Sequence, residues 1–395
     1  MTLGRILFLI NSLGTGGAER SLAELLPRLA EAGVKPVVAC LYRRPEGVER
    51  PILEAGYDVV FLSSSTTPGR VLEVRRVIHA VQPDLVHTTL FESDVIGRVA
   101  AWHTRVPVVT SLVNVTYGPE RLLDPNVRRW KLQAVREIDG WTARRLTARF
   151  HAVSRSVKDS AVRSLRIPPD KVTVIERGRD PDRLGRPDAM RRQRVRRELG
   201  ISEDAQVVVS VGRLEHQKGH RYLFDAVAKV GQRPHLTILV AGRDGHMSPE
   251  LKPQVQRLGL EGRVRFLGHR NDVPDLLAAA DLLALPSLNE GAAGVVIEAM
   301  ALGVPVVASD LPSLREVTED GTSGLLVPVA SPDALARAIE RLLDDQPLAR
   351  VLGTRGREIF ERRFTLDRSV KRMVGMYRSV LASSSTHSSA VREGV

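Results

Sequence analysis

Residues Asn289 to Met300 read NEGAAGVVIEAM and place seven residues between Glu290 and Glu298, none of them bulky or charged. The preceding DLLALPS reads as a strand that ends in a turn at Pro286, and GVVIEAMALG reads as a helix from about Gly294 to about Gly303. Glu290 is then expected on a loop and Glu298 about one turn into the helix. Gly291, Ala292, Ala293 and Gly294 would leave backbone N–H groups uncovered at the helix N-terminus, where the dipole favours a phosphate. A carboxylate on each side of that phosphate could accept hydrogen bonds from sugar hydroxyls. Singly, Glu290 is better explained by a solvated turn and Glu298 by an exposed helix position.

A second cluster shifts that balance. In VVVSVGRLEHQKGH a strand runs into a glycine-containing loop that carries Arg213 and Lys218 five residues apart. The C-terminal edge of the strands is where ligands bind in open α/β sheets. An arginine that grips two oxygens and a lysine acting as a point charge suit a diphosphate there. Near the N-terminus, NSLGTGGAERSLAELL also follows a strand and opens a helix. Gly14, Gly16 and Gly17 do not match a dinucleotide fingerprint, and no Gly-Lys-Ser/Thr follows as in a P-loop. A tight turn explains Gly16 and Gly17 about as well as an anion site does.

These residues need a frame to hold them. The 395 residues predict two domains. Strand-like GRILFLI, KPVVACL, DVVFL, PDLVHTT and VPVVTSLV alternate with helical stretches, and a second alternation starts at AQVVVSVG. Both halves therefore predict parallel sheets covered on two faces. The stretch DKVTVIERGRDPDRLGRPDAMRRQRVRREL marks the boundary. In NVRRWKLQAVREIDGWTARRL, Val127, Trp130, Ala134, Ile138 and Trp141 form one helix face, expected to be core, with a membrane-facing use as the alternative. The terminal SSSTHSSAVREGV lacks apolar periodicity and is expected to be disordered.

Composition narrows the class. The only cysteine, Cys40, excludes an internal disulfide and a cysteine-based metal site. No stretch approaches the ~20 apolar residues of a membrane span. ILFLI is too short for an export signal and is read as a first strand. The expected compartment is the cytoplasm, with peripheral attachment at the inner face of the plasma membrane as its membrane-bound form. Net charge is +12, and residues 121–198 hold 22 Lys+Arg against 10 Asp+Glu, so this stretch carries the whole excess. Such a block attracts anions, or it is only a solvated arginine-rich surface. Nucleic acid is the least expected partner, because no aromatic-basic module accompanies the arginines.

Taken together, GGAER, HAVSRSVKD, SVGRLEHQKG, VRFLGHRNDVPDLLAAADLLALPSLNEGAAGVVIEAMALGVPVVASD and DGTSGLLVP resemble the retaining glycosyltransferases of family 4. The resemblance implies an α/β GT-B fold, with two Rossmann-like doubly wound domains facing a central cleft. They would be residues 1–182 with a crossing helix 366–382 on the acceptor side, and residues 183–365 on the nucleotide-sugar side, followed by a tail 383–395. It also implies roles. Glu290 would contact the donor sugar and Glu298 the ribose hydroxyls, while Arg213 and Lys218 would hold the diphosphate. The backbone of Gly294 and Val295 would cap the phosphate, Gly16 and Gly17 would close over it, and the main chain at Arg265 and Leu267 would meet the base.

Two departures stand out. Many family members carry a histidine near the position of Asn114, which can bond a sugar hydroxyl but cannot act as a base at neutral pH. Many also read Asn-Gly-Val-Asp where this chain has ERGRD, Glu176–Asp180, a departure that bears on acceptor handling. The implied reaction moves a sugar from a nucleotide diphosphate, uridine being the commonest base in the family, to a glycan or lipid-linked acceptor with retention. No cofactor or metal is expected, because the two cations would take a metal's place at the leaving phosphate. The basic stretch adds an anionic membrane surface as an expected partner. A nucleotide-sugar epimerase and a non-catalytic nucleotide-sugar binder are the alternatives. A dehydrogenase is disfavoured by the missing fingerprint.

Overall fold

The computed structural model describes residues 3–44, 46–118, 127–231 and 233–390, with side chains described to residue 383. The chain divides into two units, one of residues 1–177 with 366–395 and one of residues 178–365. The division falls five residues earlier than the sequence reading placed it. The Arg179 N–H donates to the Phe364 carbonyl at 2.9 Å and Arg179 pairs with Thr365 in an isolated parallel bridge, which ties 178–182 to the second unit.

In the first unit, seven strands form one sheet in the order β3-β2-β1-β4-β5-β6-β7. They are β1 (Gly4–Ile10), β2 (Val34–Cys40), β3 (Asp58–Phe61), β4 (Leu85–Thr89), β5 (Val108–Leu112), β6 (Arg149–Ala152) and β7 (Val172–Val174). Every described pairing is parallel. Period-two alternation sends Ile6, Phe8 and Ile10 of β1 into one layer and Leu7 and Leu9 into the other, so the strand is apolar throughout. Leu22, Leu26 and Leu29 of the Gly17–Glu31 helix cover the first layer, together with Val370, Met373, Val374 and Tyr377 of the C-terminal helix. That helix runs Leu366–Ala390. Residues 383–390, expected to be disordered, thus continue a helix already nucleated by its packed half; each further residue then adds one bond for one residue fixed. The remaining tail, 391–395, lies outside the described residues.

The second unit has six strands in the order β10-β9-β8-β11-β12-β13. They are β8 (Gln206–Val211), β9 (Leu236–Ala241), β10 (Val264–Gly268), β11 (Leu282–Leu285), β12 (Val306–Ser309) and β13 (Leu325–Val327), again all parallel where paired. Val207 and Val209 enter one core layer and Val208 the other.

The helix Arg129–Leu146 corrects the core expectation for its aromatic stripe. Trp130, Ile138 and Trp141 are 62%, 53% and 43% exposed, and the buried residues are Asp139, Gly140, Thr142 and Ala143. The cause is Arg98, whose side chain is fully buried in the neighbouring Phe91–Ala101 helix. Its Nη1 donates to Asp139 Oδ1 at 2.6 Å and to Thr142 Oγ1 at 3.2 Å. Tyr117 Oη donates to the other Asp139 oxygen at 2.8 Å. A buried guanidinium needs acceptors more than the aromatic stripe needs cover. The basic stretch is likewise shared out: 8 of its 22 cations, from Arg179 to Arg197, belong to the second unit. Its first residues, 121–126, lie outside the described ones.

A hydrogen-bonded chain crosses the first unit. His151 Nε2 meets the Ile175 carbonyl at 3.0 Å, so it carries the proton and Nδ1 accepts. Ser111 then donates to His151 Nδ1 at 2.8 Å and accepts from His87 Nε2 at 2.7 Å, and Tyr377 donates to His87 Nδ1 at 2.5 Å. Both rings are therefore neutral. Burial pushes His87 down to about 3, with His151 nearby, and burial also pushes His151 down to about 4. The unfolded chain binds a proton on each below ~6.5 while the fold does not, so their stabilisation is present above that pH and lost as pH falls toward 4. Asp94, pushed up to about 7 by burial, runs the other way, one group against two. Melting temperature should therefore fall between pH 6.5 and 5. Tyr377→Phe, which orphans a buried ring nitrogen, should cost about 1–3 kcal/mol in denaturant unfolding. A flat profile together with a neutral Phe variant would contradict the neutral chain.

Candidate active site

The strand order of the second unit reverses direction between β8 and β11. From β8 the chain continues outward to β9, and from β11 it continues to β12 on the opposite side. The usual ligand position in such sheets is beyond the C-terminal ends of two such adjacent strands, where the loops that follow them lie. Arg213 and Lys218 lie on the loop after β8, Glu290 on the loop after β11, and the helix Gly294–Ala301 begins at the end of that second loop.

Four contacts fix these two loops. Lys218 Nζ lies 2.5 Å from Glu290 Oε1, and Ser287 Oγ donates to the same oxygen at 2.8 Å. Ser313 Oγ holds the Glu290 carbonyl at 2.7 Å. The Leu288 N–H donates to the Gln217 carbonyl at 2.8 Å, joining the two loops directly. Their close approach needs glycine. Gly219 has φ +64°, and a Cβ there would sit 2.0 Å from the Pro286 carbonyl oxygen. Arg213 is exposed and reaches no nearer than 3.8 Å to Glu215, so it can turn to a ligand without breaking a short ion pair.

The Gly294–Ala301 helix has no side-chain cap hydrogen bond at its N-cap, Ala293. Glu298 lies on this helix in its second turn, as the sequence spacing predicts. It is buried, not exposed, and Arg179 Nε donates to its Oε1 at 2.8 Å, with both side chains 3% exposed. His220, which opens the next helix, is buried and pushed down to about 3, by burial first and by Lys218 second.

Leu267 and Arg265 lie on the edge strand β10. The register with β9 shifts between Phe266 and Gly268, so Leu267 is the extra residue of a bulge and stands outside the ladder. Arg265 pairs with Leu239, and its side chain donates to the Leu199 carbonyl at 2.8 Å. Lys218 and Glu290 are thus in contact, Arg213 shares the loop of Lys218, Gly294, Val295 and Glu298 lie on the helix that follows the loop of Glu290, and Arg265 and Leu267 lie two strands from β8. Gly16, Gly17 and Asn114 belong to the first unit. Gly16 caps the Gly17–Glu31 helix without a side chain, and a Cβ at Gly17 would lie 3.4 Å from Arg177 Nη1. Asn114, exposed after β5, receives the N–H of Val115 at 2.9 Å. Arg179, Ser287 and Ser313 were missed as site residues. Only the ERGRD departure signalled Arg179.

Two doubly wound parallel units, with paired carboxylates and cations at the switch point of the second, define a GT-B glycosyltransferase. The family models for "Glycosyltransferase Family 4" and "Glycosyl transferases group 1" match residues 15–183 and 191–359. The chain belongs to this family. It is 31% identical to a D-inositol 3-phosphate glycosyltransferase of Salinispora tropica over 93% of this chain and 82% of that one. An uncharacterized glycosyltransferase of Methanocaldococcus jannaschii is 31% identical, but the match spans 57% of this chain and 58% of that one. A UDP-Gal:alpha-D-GlcNAc-diphosphoundecaprenol alpha-1,3-galactosyltransferase of Escherichia coli is 27% identical over 70% and 71%. The crystal structure of Anabaena HepE in complex with UDP and glucose superposes with a TM-score of 0.85 at 26% identity, covering 95% of this chain and all of that one.

The loop contact makes a stability prediction. Gly259 also has a positive φ, +66°, yet a Cβ there meets nothing within 4 Å. Gly259→Ala should cost on the order of 1 kcal/mol, from backbone strain alone, and Gly219→Ala roughly 2–4 kcal/mol because the Pro286 carbonyl must also move. Equal losses in chemical denaturation would show that the two loops do not need this approach.

Proposed function

We propose that the protein transfers a sugar, with retention, from a uridine diphosphate sugar to a hydroxyl of a glycan or lipid-linked acceptor. The observation that carries this reading is Glu290, held by Lys218 and Ser287 beside an uncapped helix N-terminus, with Glu298 one turn further on. Donor binding would shift Lys218 from Glu290 to the β-phosphate and free Glu290 for sugar hydroxyls. The bond between the anomeric carbon and the phosphate oxygen breaks, and the acceptor oxygen bonds the same carbon from the same face. Its proton passes to the leaving phosphate. Charge grows on that phosphate, where Arg213, Lys218 and the N–H groups of Gly294 and Val295 stabilise it; such preorganised electrostatics is usually the largest catalytic contribution. Glu298 accepts from the ribose hydroxyls, Leu267 and Arg265 offer main chain to the base, and Gly16 and Gly17 close over the diphosphate. Asn114 bonds a sugar or acceptor hydroxyl. No metal enters the reaction. The uridine diphosphate in HepE and the diphosphoundecaprenol in the galactosyltransferase's name support the donor and the lipid-linked acceptor.

An anionic bilayer surface is the second part of this reading. No described helix is long and apolar enough to cross a membrane. All three tryptophans of the chain, Trp102, Trp130 and Trp141, are exposed on the first unit, and Trp102 packs edge-on against Trp141 with ring centroids 6.3 Å apart. Lys131 and Arg145 lie over Trp130 and Trp141. Amphipathic rings next to cations suit an anionic headgroup layer.

Glu290→Ala should lower kcat about 100-fold or more, and Glu298→Ala should raise the donor KM roughly tenfold with a smaller change in kcat. A chelator should leave both constants unchanged. Full activity in both variants, or activity lost to the chelator and restored by Mg²⁺ or Mn²⁺, would remove the corresponding part. Co-sedimentation should favour phosphatidylglycerol-containing vesicles over pure phosphatidylcholine. That preference should drop in the doubly substituted Trp130→Ser, Trp141→Ser protein, and equal binding to both vesicle types would exclude the surface.

A further inference from the structure

Arg179 is bonded to Glu298, the glutamate assigned to the ribose, and both side chains are only 3% exposed. We infer that Arg179 is a positioning residue for nucleotide recognition, setting the carboxylate of Glu298 so that one oxygen is fixed and the other receives the ribose hydroxyls. The inference rests on the nucleotide-sugar reading of this site.

The backbone at Arg179 is anchored on one side by its N–H bond to the Phe364 carbonyl at 2.9 Å and its bridge to Thr365. On the other side Asp180 caps the short helix Pro181–Leu184 by accepting from Asp182 N at 3.0 Å. The guanidinium folds back so that Nη1 donates to the Gly178 carbonyl at 3.1 Å while Nε donates to Glu298 Oε1 at 2.8 Å. A planar guanidinium held at two points presents its Nε in one direction, so Glu298 is oriented as well as neutralised. An apolar side chain could do neither, and a glutamate this deeply buried would then stand without the cation that compensates it here. Arg179 Nε engages Oε1, and the inference assigns Oε2 to the ligand diol.

A merely structural arginine and a positioning one differ in what they do to sugar discrimination. The test compares uridine diphosphate with 2′-deoxyuridine diphosphate by calorimetry, on the full chain and on Arg179→Met, Arg179→Gln and Glu298→Gln. The unsubstituted protein should prefer the ribonucleotide by about tenfold, the size expected for one hydrogen bond to a charged group. Arg179→Met and Glu298→Gln should each bring the ratio to within about twofold, and combining them should add nothing further. Arg179→Gln keeps donors at the position and guards against a Met variant that does not fold; its ratio should fall as well. An unchanged ratio in a folded Arg179 variant, with both nucleotides weakened equally or not at all, would overturn the inference and leave the nucleotide reading intact. An unsubstituted protein that binds neither nucleotide, or both equally, would overturn the reading and the inference together.

Discussion

A guanidinium taken out of water must find acceptors, and that constraint arranges much of this molecule. Arg98 turns the Arg129–Leu146 helix so that Asp139 and Thr142 face inward and the tryptophans face outward. Arg196, also fully buried, gathers the carbonyls of Ala279, Ser202, Glu203 and Ala205 and the carboxylate of Asp281, and so seats the Ala189–Glu198 helix against the sheet. Its neighbours Arg191 and Arg192 reach Asp275 and Asp281. A stretch that reads as an anion-attracting block is in this part a set of internal fasteners.

The same constraint explains what could and could not be read from the sequence. The alternation of short apolar strands with helices is a local pattern, and it placed both sheets, a C-terminal helix and the loop positions of Lys218 and Glu290. The Arg129–Leu146 helix failed because periodicity shows which residues share a face but not which face is inward. The deciding residue, Arg98, lies 31 positions before the start of that helix. Glu298 was correctly put one turn into its helix, yet its partner Arg179 lies 119 residues away in sequence, beyond the reach of any spacing argument. Ser287 and Ser313 were invisible for a plainer reason: a serine in a loop has too many ordinary explanations.

Strand order supplies what charge pairing cannot. In both sheets the first strand of the unit lies centrally with its crossovers running to opposite sides, β1 beside β4 and β8 beside β11. Both switch points are followed by a glycine-bearing loop and a helix N-terminus without a side-chain cap, at Gly16 in one unit and Gly219 in the other. The units are not equivalent in chemistry. The second places two cations and two carboxylates there. The first places Asn11, whose Oδ1 accepts from the backbone and hydroxyl of Ser93 at 3.0 and 2.7 Å. An edge with two cations beside a helix N-terminus suits a ligand held by phosphate.

The charged edge is also closed on itself in a particular way. Glu290 is matched by Lys218 and Glu298 by Arg179, so each buried carboxylate is compensated before any ligand arrives. An uncompensated carboxylate at either place would be costly to bury, and an uncompensated lysine would bind any anion. Pairing them holds the geometry while lowering indiscriminate attraction. A ligand competes well for such a site only if it replaces what it displaces: phosphate oxygens for Lys218, and hydroxyls for the carboxylate that Lys218 leaves. A bare phosphate supplies the first and not the second, and a neutral sugar the second and not the first. Only a molecule carrying both at the spacing between Glu290 and Glu298 satisfies every partner at once, so the specificity of the site follows from its own internal pairing.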